Sequence, residues 1–295
     1  MKFGLPQHRP ALHLVAFIVT FVAGCAQWKE LPSVSTEDAT AVSATLENSH
    51  RLLVDVEFVA APLTALSDDQ LSELWHWVDE TAADASLRQK LRDNGIRIGR
   101  ISNEQNFRQR LGSHEPDEDV VEQFMNQAAI ASDISHGTET IPMRFGRRYE
   151  LQLRQPYEGS HVALVHTDGE TIGRTLSNAQ YFFALSASQS DTPEQIRLRL
   201  RPEIQHGSAK QKWVSSDTAI RIDTRRETWA LDMLNIDVTA AEGDTIVVAP
   251  ALPMQGIAAK MLSGSGNDQE DLQLVILIRL SHVPTAADRL AARLK

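Results

Sequence analysis

Apolar residues in the first part of the chain recur at spacings that distinguish strands from helices. Strict alternation over residues 52–59 predicts a half-buried strand. A capping-box pattern at Ser67-Asp68-Asp69-Gln70, followed by apolar residues at helical spacing, predicts that a helix begins there. A second helix is predicted over Ala85–Asp93, a further strand over residues 96–101, and a short helix that Asn103 caps. These elements belong to a small α/β module of the βαβ type.

This module extends over residues 50–135 and includes one more predicted helix at residues 118–129. Beyond it, the spacing of apolar residues changes. Later apolar residues follow the two-residue period of strands. The predicted strands cover residues 147–154, 162–167, 171–176, 181–185, 196–200, 219–222, 228–231, 245–248 and 272–280. The predicted fold class is therefore α+β: the small module, a β-rich domain over residues 140–284, and a short terminal helix over residues 285–295.

Two of these strand patterns carry more information than the others. Asp168-Gly169 stands between two strand-like runs, which is the strongest local signal for a hairpin. Residues 272–280 are apolar at nearly every position. This pattern predicts a central strand that is covered on both faces, and not a strand with one face toward lipid.

The first 25 residues have the pattern of a targeting segment. Lys2 and Arg9 give a positive start, and residues 11–24 are almost wholly apolar. This run fits the apolar core of a secretory signal and is short for a membrane-spanning helix. It ends in Val22-Ala23-Gly24-Cys25, which resembles the lipobox of bacterial lipoproteins. The alternatives are an ordinary secreted protein and a buried cysteine in an N-terminal anchor helix.

The lipobox resemblance implies how the chain is attached and where. Residues 1–24 would be a cleaved signal peptide, and Cys25 would carry acyl chains of the palmitate type that hold the protein at a membrane. Ala26 stands where an aspartate retains some lipoproteins in the inner membrane, so the resemblance favours the outer membrane of the bacterial cell envelope, with the domain facing the periplasm. Residues 25–49 are rich in Ser, Thr, Ala and Glu and predict a lipidated tether.

Composition and charge exclude several classes of protein. The chain is 42% hydrophobic and 23% charged, which is typical of a globular protein and argues against full-length disorder and against a polytopic membrane protein. The formal net charge is −10, from 29 basic and 39 acidic residues, so we expect no nucleic-acid partner. The single cysteine rules out an intrachain disulfide and a cysteine-based zinc site.

Local motifs for catalysis are absent from the sequence. There is no Gly-rich phosphate loop, no Gly-x-Ser-x-Gly elbow and no His-Glu-x-x-His pair, so we expect no cofactor, no metal and no catalytic residue that can be named. His161 and His166 lie five residues apart, which places them on opposite faces of a strand. His76, between two tryptophans, is expected to be a partly buried histidine with satisfied hydrogen bonds.

Four carboxylates and three arginines are further candidates for a functional site. A catalytic pair could be drawn from the acids Asp68, Asp69, Asp79 and Glu80, but acids in the first turn of a helix serve its dipole. The arginines share one face of a predicted strand and form a candidate site for an anion or a partner. These are Arg197, Arg199 and Arg201. The alternative is a solvated sheet face whose arginines pair with neighbouring acids such as Glu203.

Three segments in the second half resemble a known family in their order and spacing. They are Arg197-Leu-Arg-Leu-Arg-Pro-Glu-Ile-Gln-His-Gly207, Ala241-Glu-Gly-Asp-Thr-Ile-Val-Val248 and Leu272-Gln-Leu-Val-Ile-Leu-Ile-Arg-Leu280. The series resembles the β-domain of secretin outer-membrane channels and implies a secretin-like β-fold over about a third of the chain. The Gly-Gly-Leu and lip motifs of secretins are missing, so the channel function is not implied. The whole chain also resembles an uncharacterised bacterial lipoprotein.

The sequence leaves three function hypotheses. The leading one is a non-enzymatic, lipid-anchored envelope protein that binds or scaffolds an envelope or secretion component. The second is a periplasmic enzyme with a non-local active site, which convergence of His161 or His166 with a carboxylate in a deep pocket would favour. The third is a secretin-like channel subunit.

Overall fold

Strands dominate the computed structural model, which describes residues 51–112, 133–192, 194–215, 220–265 and 271–285, all within one compact unit. The described strands are β1 (Leu52–Ala61), β2 (Val78–Asp79), β3 (Ile96–Ile101), β4 (Gly137–Met143), β5 (Arg148–Gln152), β6 (Ser160–Thr167), β7 (Glu170–Ser177), β8 (Gln180–Gln189), β9 (Gln195–Ser215), β10 (Ile220–Ala230), β11 (Ile236–Ala241), β12 (Thr245–Pro250), β13 (Ser263–Ser265) and β14 (Asp271–His282).

The described helices are few and short. They are α1 (Asp68–His76), α2 (Ala85–Asp93), α3 (Glu104–Leu111) and α4 (Ala258–Met261), with 3-10 turns at Leu63–Ala65, Glu80–Ala82 and Asp232–Leu234. The predicted α+β fold is therefore wrong, because the described chain is mostly β. Helices α1 and α3 pack on one face of the seven-stranded sheet, and the described helices do not form a layer of comparable size.

Two antiparallel sheets and one hairpin organise the strands. A seven-stranded sheet has the order β2-β3-β12-β14-β1-β4, with β13 also paired to β14. A five-stranded sheet has the order β10-β9-β8-β5, with β11 also paired to β9. Strands β6 and β7 form the hairpin predicted around Asp168-Gly169, and both turn residues have positive φ.

The two sheets pack face to face in a sandwich-like arrangement. Alternate residues of each strand enter a shared apolar core, for example Val54 and Ile276 from the seven-stranded sheet and Phe183 and Leu198 from the five-stranded sheet. A second, smaller core lies on the other face of the seven-stranded sheet, where α1 and α3 pack. Burial of these apolar side chains is the main force that holds the layers together.

Strand β14 confirms the prediction of a central strand covered on both faces. It pairs with β12 on one side and β1 on the other. Ile276 and its alternates face the core between the sheets, whereas Val275 and Leu277 face the core under the helices. All residues from Gln273 to Ile278 are buried.

Several local predictions for the N-terminal module are confirmed. Strand β1 alternates buried and half-buried residues over the predicted span. Ser67 and Gln70 form the capping box of α1, and Asn103 caps α3. Helix α2 ends at Asp93 with Asn94 as its C-cap, and Gly95 follows with a φ of +76°, where a Cβ would lie 2.3 Å from the carbonyl oxygen of Gln255.

The module is nevertheless not a separate βαβ unit. Strands β12 and β14, from the last part of the chain, lie between β1 and β3. The boundary predicted near residues 135–140 therefore does not separate two domains, because segments from both sides of it share the seven-stranded sheet. The described residues of the predicted runs 219–222 and 228–231 likewise fall on one strand, β10, up to Ala230, with a register shift between Arg225 and Glu227.

Other predictions lie outside the described residues. These are the signal peptide over residues 1–24, the tether over residues 25–49 with Cys25, the helix over residues 118–129 and nearly all of the terminal helix over residues 285–295.

Candidate functional site

The three arginines of the predicted anion or partner site stand in one row on the outer face of the five-stranded sheet. The structure brings them together, since Arg197 and Arg199 are exposed, Arg201 is half-buried, and all three alternate with buried residues of β9. Arg197 and Arg199 both approach the carboxylate of Asp237 on β11, at 3.4 and 3.3 Å. Arg201 pairs with Asp232 at 2.9 Å. An added anion would compete with these acids for each guanidinium group.

A buried glutamate lies under this row. Glu203 has 2% of its side chain exposed and accepts hydrogen bonds from Arg201, at 2.6 Å, and from Arg148. These hydrogen bonds to Glu203 are the main reason that the pKa of Arg201 is raised. Arg148 also pairs with Glu150, at 2.5 Å, so four acids face four arginines and the local charges balance, as the alternative interpretation of a paired sheet face expects. Anion or partner binding by this row stays a prediction.

A cleft of about 860 Å³ lies elsewhere, between the start of α1 and the loop that precedes α4. One wall is apolar and includes Leu66, Leu71 and Leu252. The other end is polar and includes Asp133, Tyr157 and Lys260. Concave sites with an apolar wall and a few convergent polar groups are the usual form of a ligand site.

The buried side chain of Arg154 supports the polar end of the cleft. Its guanidinium group pairs with Asp133 and donates hydrogen bonds to the carbonyl oxygen of Ser263 and the hydroxyl of Tyr157, both at 2.6 Å. A longer bond of 3.2 Å reaches the carbonyl oxygen of Lys260. The side chain is only 4% exposed. Arg154 thus joins three separate segments of the chain behind the wall of the cleft.

Three aromatic rings continue from this guanidinium group into the core. Arg154 lies 3.8 Å above the ring of Tyr157, and the His161 ring lies 4.6 Å from Tyr157 by centroids. Nε2 of His161 lies 2.7 Å from the hydroxyl of the fully buried Tyr181. Nδ1 of His161 is buried and has no hydrogen-bond partner among the described residues.

Burial sets the protonation of these groups. It lowers the pKa of His161, and the charges of Lys260 and Arg154 lower it further, so the ring is neutral near pH 7. Burial also raises the pKa of Tyr157 and Tyr181, so both hydroxyls stay protonated. Of the three rings, only Tyr157 lines the cleft, and its protonated hydroxyl is not an activated nucleophile.

The other predicted histidine environments are only partly confirmed. His166 makes its ring contact with Thr171, 2.9 Å away, so His161 and His166 have different partners, as expected for different faces. His76 is exposed, with only a ring-edge contact to Trp77, so the prediction that it is partly buried is wrong. The neighbouring tryptophans do not bury His76, because it lies on the solvent-facing side of α1.

The four carboxylates considered as a catalytic pair have separate structural roles. Asp68 and Asp69 lie in the first turn of α1. Asp79 accepts hydrogen bonds from Thr81, which are the main reason that its pKa is lowered. Glu80 pairs with Arg97 at 2.9 Å.

Sequence reasoning missed the Arg154 cluster. Arg154 was one polar position in an alternating run, and nothing nearby marks it as buried. Its partners are 21 residues away at Asp133 and 109 residues away at Ser263. Only the tertiary structure brings these groups together.

The described part of the chain shows neither a candidate metal site nor a candidate membrane-spanning helix. No group of three metal-binding side chains occurs among the described residues. Within the same ranges, no helix combines the length and the hydropathy needed to cross a membrane. Comparisons with protein-family models, with curated proteins and with solved structures found no match to this chain.

Proposed function

We propose that this chain is a lipid-anchored protein of the bacterial cell envelope that acts without catalysis, by binding or scaffolding another envelope or secretion component. The observation that carries the proposal is Val22-Ala23-Gly24-Cys25 at the end of an apolar run. Acyl chains on Cys25 would hold the protein at a membrane, with the outer membrane favoured and the folded part in the periplasm.

The contacts of the two central histidines support binding over catalysis. A general acid or base needs a partner that orients it and sets its pKa. His161 contacts Tyr181 and His166 contacts Thr171, and neither contact is with a carboxylate. Asp133, at the polar end of the cleft, is engaged in structural contacts with Arg154 and the N–H of Ser265 instead.

A periplasmic enzyme is the second candidate, and the cleft beside α1 favours it. Tyr157 and Lys260 line the polar end of this cleft, and Lys260 Nζ lies 5.5 Å from the Tyr157 ring centre. Replacing Lys260 by Met and Tyr157 by Phe would remove both polar groups. If the purified chain turns over a substrate in this cleft, both replacements should lower that activity.

The secretin-like channel subunit is a third candidate. Of the three resembling segments, the first lies in β9 of the five-stranded sheet, whereas the other two run into β12 and β14 of the seven-stranded sheet. A ring-shaped, heat-resistant multimer in detergent would favour this candidate over the binding protein.

Mass spectrometry of the mature N-terminus tests the anchor. We expect a chain that begins at Cys25 and carries acyl chains, and release of the Cys25→Ala variant from the membrane fraction. The matched control is Ala26→Ser, which keeps the lipobox and should stay attached. An unmodified Cys25, or a mature chain that begins elsewhere, would refute the anchor.

A pull-down from detergent-solubilised envelope, with the anchor intact, tests the binding half of the proposal. We expect reproducible enrichment of one envelope or secretion component over the same membranes without the chain. Absence of any enriched component, together with turnover of a substrate by the purified chain, would favour the enzyme.

A further inference from the structure

Strands β4 and β5 follow each other in the chain but belong to different sheets. Strand β4 pairs with β1 at one edge of the seven-stranded sheet, and β5 pairs with β8 at one edge of the five-stranded sheet. A short turn joins them. Consecutive antiparallel strands normally pair with each other as a hairpin, so the two strands form a split hairpin here.

The split is closed at both ends. At one end Ile134 and Arg154 form an isolated bridge, and the N–H of Ser135 donates to the carbonyl oxygen of Leu153 at 2.9 Å. At the other end the hydroxyl of Tyr149 donates to the carbonyl oxygen of Pro142 at 3.2 Å and accepts from the N–H of Arg144 at 3.0 Å. The opening therefore has a fixed length, set by contacts on either side of it.

Both strands present an edge to the opening. Within the described residues, β4 has a strand neighbour only at β1, and β5 only at β8. The Gln152 carbonyl accepts from the Ser135 hydroxyl at 2.6 Å and therefore points away from β8. Alternation along β5 turns the peptide groups of Glu150 the same way. Unpaired edges of this kind can hydrogen-bond to an added strand.

A groove of about 620 Å³ occupies the opening, and we call it the β4–β5 groove. Its lining includes the apolar side chains of Phe58 and Ile134. Gly137 pairs with Phe58 in the sheet and has a φ of +93°, and a Cβ there would meet nothing within 4 Å. The groove thus keeps open space beside the backbone of β4.

The charge of the groove is one-sided. Glu139 and Glu150 line it, and no Lys or Arg is among its lining residues. Glu150 pairs with Arg148 at 2.5 Å, so Glu139 supplies most of the negative charge. Glu139 pairs with Val56 in the register, which places it on the core-facing side of the edge strand. An inward charge and Pro142 at an edge are devices that prevent unspecific pairing with apolar strands. The same Glu139 would favour a strand that brings a positive side chain to this position.

We propose that the β4–β5 groove binds an extended peptide segment of another protein, rich in Lys or Arg, which adds to the edge of β4 as a strand. The inference rests on the binding half of the proposed function and names the surface and the partner chemistry. Main-chain hydrogen bonds would supply affinity, and Glu139 would supply selectivity for positive side chains. A second copy of this chain fits poorly, because it would bring another Glu139 and another net charge of −10 to the same edge.

Synthetic peptides test this inference with the full-length chain in detergent micelles at physiological ionic strength. The probe is a fluorescein-labelled hexapeptide of alternating Thr and Lys, which matches the length of β4 between its two closing contacts, and its Kd is measured by fluorescence anisotropy. The charge control alternates Thr and Glu. Two further versions of the Thr-Lys peptide are N-methylated, one at every Thr and one at every Lys. Methylation keeps the charge but removes the N–H donors along one edge of the peptide.

We expect the Thr-Lys peptide to bind, the Thr-Glu peptide to bind at least tenfold more weakly, and at least one N-methylated version to lose tenfold or more. Failure of the Thr-Lys peptide to bind would overturn the inference. Equal binding of the parent and both methylated peptides would also overturn it, because attraction by net charge alone would then explain the affinity.

Charge reversal in the protein locates the site. Glu139→Lys should weaken binding of the Thr-Lys peptide at least fivefold. The matched control is Glu194→Lys, which makes the same charge change at an exposed position outside the groove. Equal loss in both variants would overturn the assignment to the β4–β5 groove.

Failure of this inference and failure of the proposed function can be told apart. If Cys25 is unmodified but the Glu139-dependent binding is observed, only the lipid anchor fails. If the chain is lipidated and enriches an envelope component that Glu139→Lys still captures, the proposed function stands and the groove is not its surface.

Discussion

At the scale of single residues, Arg154 decides how the polar end of the cleft is built. Its guanidinium group pairs with Asp133 and bonds to carbonyl oxygens of α4 and β13. Arg154→Met would remove the donor to the carbonyl oxygens of Lys260 and Ser263 and leave Asp133 with only the N–H of Ser265, and breaking a buried pair in this way costs about 3–5 kcal/mol. Because Asp133 is 39% exposed and can be rehydrated, we expect a loss of about 3 kcal/mol in the free energy of unfolding, measured by urea titration.

The matched control at this scale is Arg199→Met on the outer face of the five-stranded sheet. Its side chain is 53% exposed and pairs with Asp237, so we expect a change below about 1 kcal/mol. Equal losses in the two variants would mean that burial of Arg154 does not matter for stability. The contrast also explains a limit of sequence reasoning: both residues alternate with apolar neighbours, and only distant partners distinguish the buried one from the exposed one.

At the scale of elements, β14 is the strand on which both apolar cores depend. Ile276 is fully buried between the sheets. Ile276→Asp would place an unpaired carboxylate there, so we expect a loss of about 4 kcal/mol or more in the free energy of unfolding. Ile276→Val keeps the apolar character and should cost only about 1 kcal/mol. A wild-type urea midpoint for Ile276→Asp would show that the strand is not buried.

Local patterns sufficed for elements of this kind. The alternation of β1, the caps of α1 and α3, the turn at Asp168-Gly169 and the apolar run of β14 are each written within a few neighbouring residues, and each was predicted. The sequence pattern predicts two strands where the structure has the single strand β10, because its register shift near Arg225 interrupts the alternation of apolar residues. A strand can therefore be predicted from neighbouring residues, but a bulge breaks the two-residue period on which that prediction depends.

At the scale of the whole molecule, the order of strands could not be predicted from the sequence. A strand, a helix and a strand in succession favoured a βαβ unit, yet β12 and β14 lie between β1 and β3. The apolar faces of β1 and β3 fit any strand of the right period, and the choice among partners depends on packing across the entire core. The β4–β5 groove was missed for the same reason, since nothing local shows that two consecutive strands join different sheets.

Because the two sheets share one apolar core, we predict that they unfold together. Leu198 of the five-stranded sheet is fully buried in the core that both sheets form. Leu198→Ala should lower the free energy of unfolding by about 3 kcal/mol. Because about 1.4 kcal/mol corresponds to a factor of ten, the amides that exchange only on unfolding should then exchange roughly a hundredfold faster. If the sheets form one cooperative unit, hydrogen exchange should accelerate equally in β8 and β9 and in β12 and β14 of the other sheet. Arg199→Met should accelerate neither set. Acceleration confined to β8 and β9 would show instead that the five-stranded sheet opens on its own while the seven-stranded sheet stays folded.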